Sequence, residues 1–211
     1  MTAAPFQSVR DRLVLAALPH AVFDGWSARS LAAAARDEGL DPTMAERAFL
    51  GGPAAAVDHL VDLADRLMAE EAAGLDLDSM RVPDRVFTLL KLRFERWAPH
   101  REAIRRAMAL LALPGNAAGA ARITWRTADV VWRLAGDRSH DFSWYTRRAT
   151  LAAVCSATLL YWLDDPSEDS ADTWAFLRRR LADVGRVTRA RKQAQSWLEG
   201  LPRRMPRGLR P

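Results

Sequence analysis

Only one cysteine, Cys155, occurs among the 211 residues, which excludes an intramolecular disulfide and a thiolate metal cluster. It lies in LAAVCSATLLYWL, where a lone cysteine among apolar neighbours reads as a small core residue, and a reducing compartment is permitted. Histidine is scarce and scattered. His20, His59, His100 and His140 form no HxxxH or HExxH pattern and read as surface or helix-end residues, so no metal is expected. Phosphate cradles are lacking too: Gly51-Gly52-Pro53 has no following Lys and Ser or Thr, and no serine sits in a GxSxG elbow. Asp164 and Asp165, directly before Pro166, read as helix termination and turn chemistry rather than as a catalytic pair. The residues therefore support neither an enzyme nor a cofactor site.

Strand signals are also few, with no Asn-Gly dipeptide and with Ala, Leu, Arg and Glu dominating most segments, so an all-α fold is expected. No stretch approaches the roughly 18 consecutive apolar residues of a spanning helix, which leaves peripheral contact as the form any membrane association would take. Arg10, Asp11 and Arg12 interrupt the apolar residues near the start, and no signal peptide is read there.

Punctuation divides the chain into about ten helices. The first, about Ser8 to Val22, should bury Val9, Leu13, Ala16 and Ala17. Ser27 can cap a second, with Gly39 as its left-handed terminator, and Asp41-Pro42 opens a short third that ends near Phe49. Further helices are expected over Pro53 to Ala73, Pro83 to Trp97, Pro99 to Leu113, and from Asn116 to Gly136. A long one capped at Asp141 or Ser143 runs to Asp164, and the next begins at Ser167 or Ser170 and carries Trp174, Phe176, Leu177, Leu181 and Val184. The first three have the proportions of a helix-turn-helix head, in a TetR-like order. The aromatic faces of the last two long helices suit either a helix-pair dimer or packing within one chain.

The net charge of +5 conceals an asymmetry. From Arg178 onward eleven Lys and Arg face only Asp183 and Glu199, a balance of +9 that leaves −4 on the rest. In RVTRARKQAQSWLEGL, Val187, Ala190, Ala194, Trp197, Leu198 and Leu201 recur at helical spacing, while Arg186, Arg189, Arg191 and Lys192 occupy the other faces. That is the pattern of an interfacial amphipathic helix anchored by Trp197; a solvated helix capping its own domain has the same pattern. The expected organisation is thus a head over 1–52, a body over 53–185, a membrane-associating helix over 186–201 and a basic tail over 202–211. The head argues against DNA: from Asp24 to Pro53, Arg29, Arg36 and Arg47 face Asp24, Asp37, Glu38, Asp41 and Glu46, a net −2 where phosphate neutralisation needs cations.

The stretches KLRFERWAPHREAIRRAMALLALPGNA, WRTADVVWRLAGDRSHDFSWYTRRATLAAV and DTWAFLRRRLADV resemble the coenzyme Q biosynthesis accessory family, the ninth of the Coq proteins. The likeness covers most of Pro83 to Val184, with DFSWYTRRA its most distinctive run, and extends weakly into the N-terminal helices as a degenerate helix-turn-helix head. It implies a TetR-like homodimer that binds an isoprenoid quinone intermediate or phospholipid without catalysis. It further implies presentation of that lipid to the di-iron demethoxyubiquinone hydroxylase. The family's partner-facing patch falls on Asp141, Trp144 and Tyr145, with Trp132 nearby; core filling would also explain the aromatics, and capping Asp141. Phe94, Leu110, Leu111, Ile123, Trp125 and Leu159 are the expected pocket lining, since such bodies enclose ligands between central helices, although core packing would explain each. A first helix within ten residues of Met1 leaves no room for a transit peptide. The expected setting is therefore a bacterial cytoplasm, with the protein touching the inner membrane. A TetR-type regulator with a hydrophobic effector is the alternative.

Overall fold

A computed structural model describes residues 5–137 and 142–199, with side chains over 6–137 and 143–186. Among the described residues there is no strand. Helix α1 spans Pro5–Asp24, α2 Ala28–Asp37, α3 Thr43–Ala48 and α4 Gly52–Ala72. They are followed by α5 Val82–Arg96, α6 Arg101–Leu111, α7 Ala117–Leu134, α8 Phe142–Asp164 and α9 Ala171–Glu199, with short 3-10 turns between several of them.

Local chemistry sets most of these boundaries. Ser27 and Ser30 form a capping box at the start of α2, and Gly39 follows its end at φ +67°. Asp41 Oδ1 accepts from both the backbone N–H and the hydroxyl of Thr43, so the helical turns of α3 begin there rather than at Pro42. Gly136 ends α7 at φ +89°, and a Cβ there would stand 2.9 Å from Arg85 Nη1, which donates to the Ala135 carbonyl. Two expectations change. The basic segment from Arg186 does not start a helix of its own, because α9 runs without interruption through Gly185 to Glu199. His59 is not a surface residue: it is buried in α4 with Nε2 bonded to Asp11 Oδ1 at 2.7 Å, and burial holds its pKa below the ordinary histidine value.

The head forms around α1, which packs on α2, α3, α4 and α6. Leu13 and Ala17 are fully buried as expected, whereas Val9 and Ala16 are only partly so. Because α1 is surrounded on several sides, Val14, Leu18 and Ala21 are buried as well. Helix α4 joins head to body and packs against α5 and α7, while α7 pairs with α8 and α8 with α9. None of the described helices is long and apolar enough to cross a membrane.

Candidate functional site

Five helices of the body each turn one stripe toward a common space. Helix α4 supplies Val57, Leu60, Val61 and Ala64; α5 and the residue after it supply Leu90, Arg93, Phe94 and Trp97; α6 supplies Ile104, Ala107, Met108 and Leu111. From α7 come Ala120, Ile123, Thr124 and Thr127, and from α8 Cys155, Ser156, Leu159 and Trp162. The sets from α4 to α7 follow the i, i+3, i+4, i+7 spacing of a single helix face, and that from α8 the equivalent i, i+1, i+4, i+7 spacing. Together they line a largely apolar cavity of about 210 Å³.

Of the six expected lining residues, Phe94, Leu111, Ile123 and Leu159 belong to this wall, and Leu110 and Trp125 do not. Their registers explain the difference. At about 100° per residue, each falls more than about 100° from the centre of its helix's wall stripe, and so faces elsewhere. The Leu110 carbonyl accepts from Asn116 Nδ2 at 2.9 Å, and the Trp125 ring lies 5.7 Å from that of Trp144.

One charged pair reaches the wall, and it is internally satisfied. Arg93 Nε donates to Asp65 Oδ1 at 2.8 Å, and the Thr127 hydroxyl donates to Asp65 Oδ2 at 2.8 Å. The two charged side chains are only 13% and 5% exposed. Cys155 joins the wall beside them, where burial pushes its thiol up to about 12, so at neutral pH it is protonated and a poor nucleophile. The wall thus offers dispersion contacts and hydrogen bonds but neither a free charge nor an activated nucleophile. Asp164 and Asp165 lie apart from it. Asp164 pairs with Arg105 at 2.6 Å, and Asp165 accepts from the backbone N–H and the hydroxyl of both Ser167 and Thr173. Among the described residues, no three His, Cys, Asp or Glu side chains gather as a metal set.

The aromatic residues expected to face a partner fall into two groups. Trp144 and Tyr145 meet edge to face at 4.8 Å, and both approach Trp125. Tyr145 is 60% exposed. Under this cluster Arg148, only 2% exposed, lies 4.0 Å from the centre of the Trp144 ring and donates to Asp129 at 2.6 Å and Asp137 at 3.1 Å. Trp132 is outside the ring cluster; its indole donates to the Arg147 carbonyl at 3.0 Å and ties α7 to α8. Asp141 and Leu201 lie outside the described residues, as do the side chains of Arg189, Arg191, Lys192, Ala194, Trp197 and Leu198. Arg186, the one expected membrane residue with a described side chain, is exposed and paired with Asp183. Sequence reasoning missed the Arg93, Asp65 and Thr127 group and the wall tryptophans Trp97 and Trp162. The repeated stripe on five consecutive helices was the signal that could have found the tryptophans.

Comparison with known proteins gives this architecture a family. Residues 117–188 match the COQ9 family model. The human protein named "Ubiquinone biosynthesis protein COQ9, mitochondrial" is 30% identical over 92% of this chain, which spans 63% of that protein. The Xenopus laevis protein COQ9-B is 31% identical over 90% of this chain and 67% of its own length. Among solved structures, a TetR transcriptional regulator from Nitrosomonas europaea aligns with a TM-score of 0.66 at 22% identity, covering 83% of this chain and 97% of the regulator. That likeness establishes the TetR-like fold alone. The expected bacterial cytoplasmic setting is corrected by the sequence relatives, which are mitochondrial proteins of eukaryotes. Because they extend well beyond the matched length, the nearness of α1 to residue 1 says nothing about a leader. With a relative 31% identical across two thirds of that relative's length, the chain belongs to the COQ9 family.

Proposed function

We propose that the chain is a non-catalytic, lipid-binding accessory protein of ubiquinone biosynthesis. It takes up an isoprenoid quinone intermediate, or a phospholipid in its place, and presents the intermediate to a di-iron demethoxyubiquinone hydroxylase at a membrane surface. The observation that carries this reading is the cavity. Its volume of about 210 Å³ exceeds the roughly 150 Å³ of an engineered apolar cavity that binds benzene, so it suits one ring or a short run of chain. Each methylene moved from water into such a wall gains about 0.8 kcal/mol, which offsets the cost of drawing an apolar molecule from a bilayer. Relatives named for ubiquinone biosynthesis supply the pathway.

Three surfaces support the remaining parts. The Trp125, Trp144 and Tyr145 cluster, with Tyr145 well exposed, is the surface for the hydroxylase. Exposed Leu160 and Tyr161, the latter stacked on Phe176 at 4.8 Å, give α8 and α9 an apolar face for a homodimer. The basic C-terminal residues provide attraction to an anionic leaflet.

Solvent extraction of the purified chain followed by mass spectrometry tests the reading. An isoprenoid or phospholipid is expected from the native chain, with a much smaller yield from Ser156→Phe, which fills the cavity from its wall. Recovery of neither lipid from the native chain refutes it. A TetR-type regulator with a hydrophobic effector is the second reading, favoured by the fold; sequence-selective retardation of its own upstream DNA at moderate salt would establish it.

A further inference from the structure

Helix α4 stands between two spaces. Its apolar stripe lines the cavity described above. At about 100° per residue, Asp58, His59 and Asp62 fall on the opposite face, where they line a second cavity of about 520 Å³. Phe6, Gln7 and Arg10 of α1 and Arg126 of α7 complete this second wall. It is polar, and most of its charges are already engaged. Asp58 meets Arg126 at 2.7 Å and Arg122 at 3.5 Å, and Asp62 accepts from Arg66 at 3.0 Å. Arg66 also donates to Asp11 at 2.6 Å, and Asp11 bonds His59, which burial keeps neutral. Arg10 is the exception. Among the described residues no carboxylate pairs with it, and its guanidinium rests over the Phe49 ring at 5.2 Å. Its Nε is buried, which leaves the two terminal nitrogens as donors to anything in the cavity. Counted with their partners, the guanidinium groups of Arg10, Arg66, Arg122 and Arg126 exceed the carboxylates of Asp11, Asp58 and Asp62 by one charge.

We propose that this second cavity binds a singly charged phosphate ester, with the Arg10 guanidinium as its main contact and the Gln7 amide as a further donor. The terminal N–H groups of a guanidinium match two oxygens of a phosphate in a fixed geometry. One excess positive charge is balanced by one monoanion. A cation would find no free carboxylate here, since each is held by an arginine. The volume exceeds that of a bare ion, and Phe6, 49% exposed on the same wall, offers apolar contact to the esterified group. A single unpaired cation set in a hollow meets one phosphate, whereas a duplex presents a row of them. A phospholipid headgroup and a water-soluble phosphodiester both carry this chemistry. The site lies apart from the apolar cavity and does not depend on the function proposed for that cavity.

Calorimetric titration of the full chain with glycerophosphoglycerol, a phosphodiester without acyl chains, tests the proposal, with acetate as the comparison anion at constant ionic strength. The diester should bind at least about 3-fold more tightly than acetate. Arg10→Gln should lower its affinity at least roughly 10-fold, and Arg10→Lys, which keeps the charge without the fork, roughly 3-fold. Far-UV circular dichroism establishes that both variants fold. On the native chain labelled with nitrogen-15 arginine, the guanidinium resonance that is missing from Arg10→Lys should shift with the diester more than with acetate at the same concentration. Ser156→Phe, which fills the apolar cavity, should bind the diester as the native chain does. Dihexanoylphosphatidylglycerol below its micelle concentration separates the two sources. Affinity above that of the bare headgroup and lost in Arg10→Gln assigns the site to a lipid, and equal affinity assigns it to a soluble ester. No binding of the diester, binding no tighter than that of acetate, affinity unchanged in Arg10→Gln, or loss of binding in Ser156→Phe overturns the proposal.

Discussion

Asp65→Asn removes the counterion of a cavity-wall cation, Arg93, and leaves that cation behind. Arg93 is 13% exposed and its counterion 5% exposed, so both charges were largely desolvated on folding. Truncating one member of such a pair costs about 3–5 kcal/mol, mostly because the remaining ion is left without compensation. Asparagine still accepts from Arg93 and Thr127, which puts the expected loss near the lower end, about 3 kcal/mol. Out of a typical total of about 5–15 kcal/mol, that leaves a weakened fold. Removing both charges reverses the effect: Asp65→Leu with Arg93→Met fills similar volume with apolar atoms and should return to within about 1 kcal/mol of the native chain. Urea unfolding followed by far-UV circular dichroism, run as a double-mutant cycle, measures the coupling directly. A loss below about 1 kcal/mol for Asp65→Asn, or additive losses in the double variant, would show that the pair does not hold the wall as argued.

Three further outcomes follow from other parts of the chain. Burial opposes ionisation of Asp165, but hydrogen bonds from Ser167 and Thr173 outweigh it and pull its pKa from 3.8 to about 2. The stabilisation is therefore complete above about pH 4 and is lost as pH falls through about 2; Asp165→Asn should cost about 2 kcal/mol at neutral pH and much less in acid, by denaturant midpoints. A pH-independent difference refutes this. Cys155, with its thiol up at about 12 and buried in the wall, should react with iodoacetamide only as fast as the chain unfolds; rapid labelling of the native state contradicts the assignment. Charge reversal of Arg189, Arg191 and Lys192 to Glu in the full chain should reduce flotation with anionic vesicles at least about 100-fold, at about 1 kcal/mol for each cation lost. Unchanged flotation would remove the tail from the membrane reading.

Helix order was legible in the residues because punctuation is local. The capping serine Ser27, the left-handed Gly39 and the break around Pro114 to Asn116 all act within a turn of their own position. The division between residues 185 and 186 falls inside α9, since an interior glycine such as Gly185 costs a helix only about 1 kcal/mol. The cavity was half legible. A face such as Ile104, Ala107, Met108 and Leu111 has the same spacing whether it meets another side chain or an empty space, and only the assembled helices distinguish the two. Trp125 is expected in the pocket because it lies on a central helix, while its register turns it toward Trp144. The wall tryptophans escaped notice for a different reason. Whether an indole N–H has a partner depends on carbonyls distant in sequence, as the 77-residue separation of Trp26 and Ala103 illustrates.

Charge is arranged differently in the head and in the body of this fold. In the head, Arg12 bonds Glu38 at 2.6 Å and Arg29 approaches Asp24 at 3.7 Å, so these cations that might meet phosphate are engaged by neighbouring carboxylates. Helix α3 has six residues and exposes Glu46 beside its one basic residue, Arg47. Duplex binding that neutralises several phosphates needs more free cations than this face supplies. In the body, the one charged pair at the cavity is closed on itself. On the proposed reading, such a wall suits an apolar ligand and does not attract the anionic headgroups of a membrane. The TetR-like fold thus combines here an enclosed apolar space in the body with a head in which several basic side chains are paired with carboxylates.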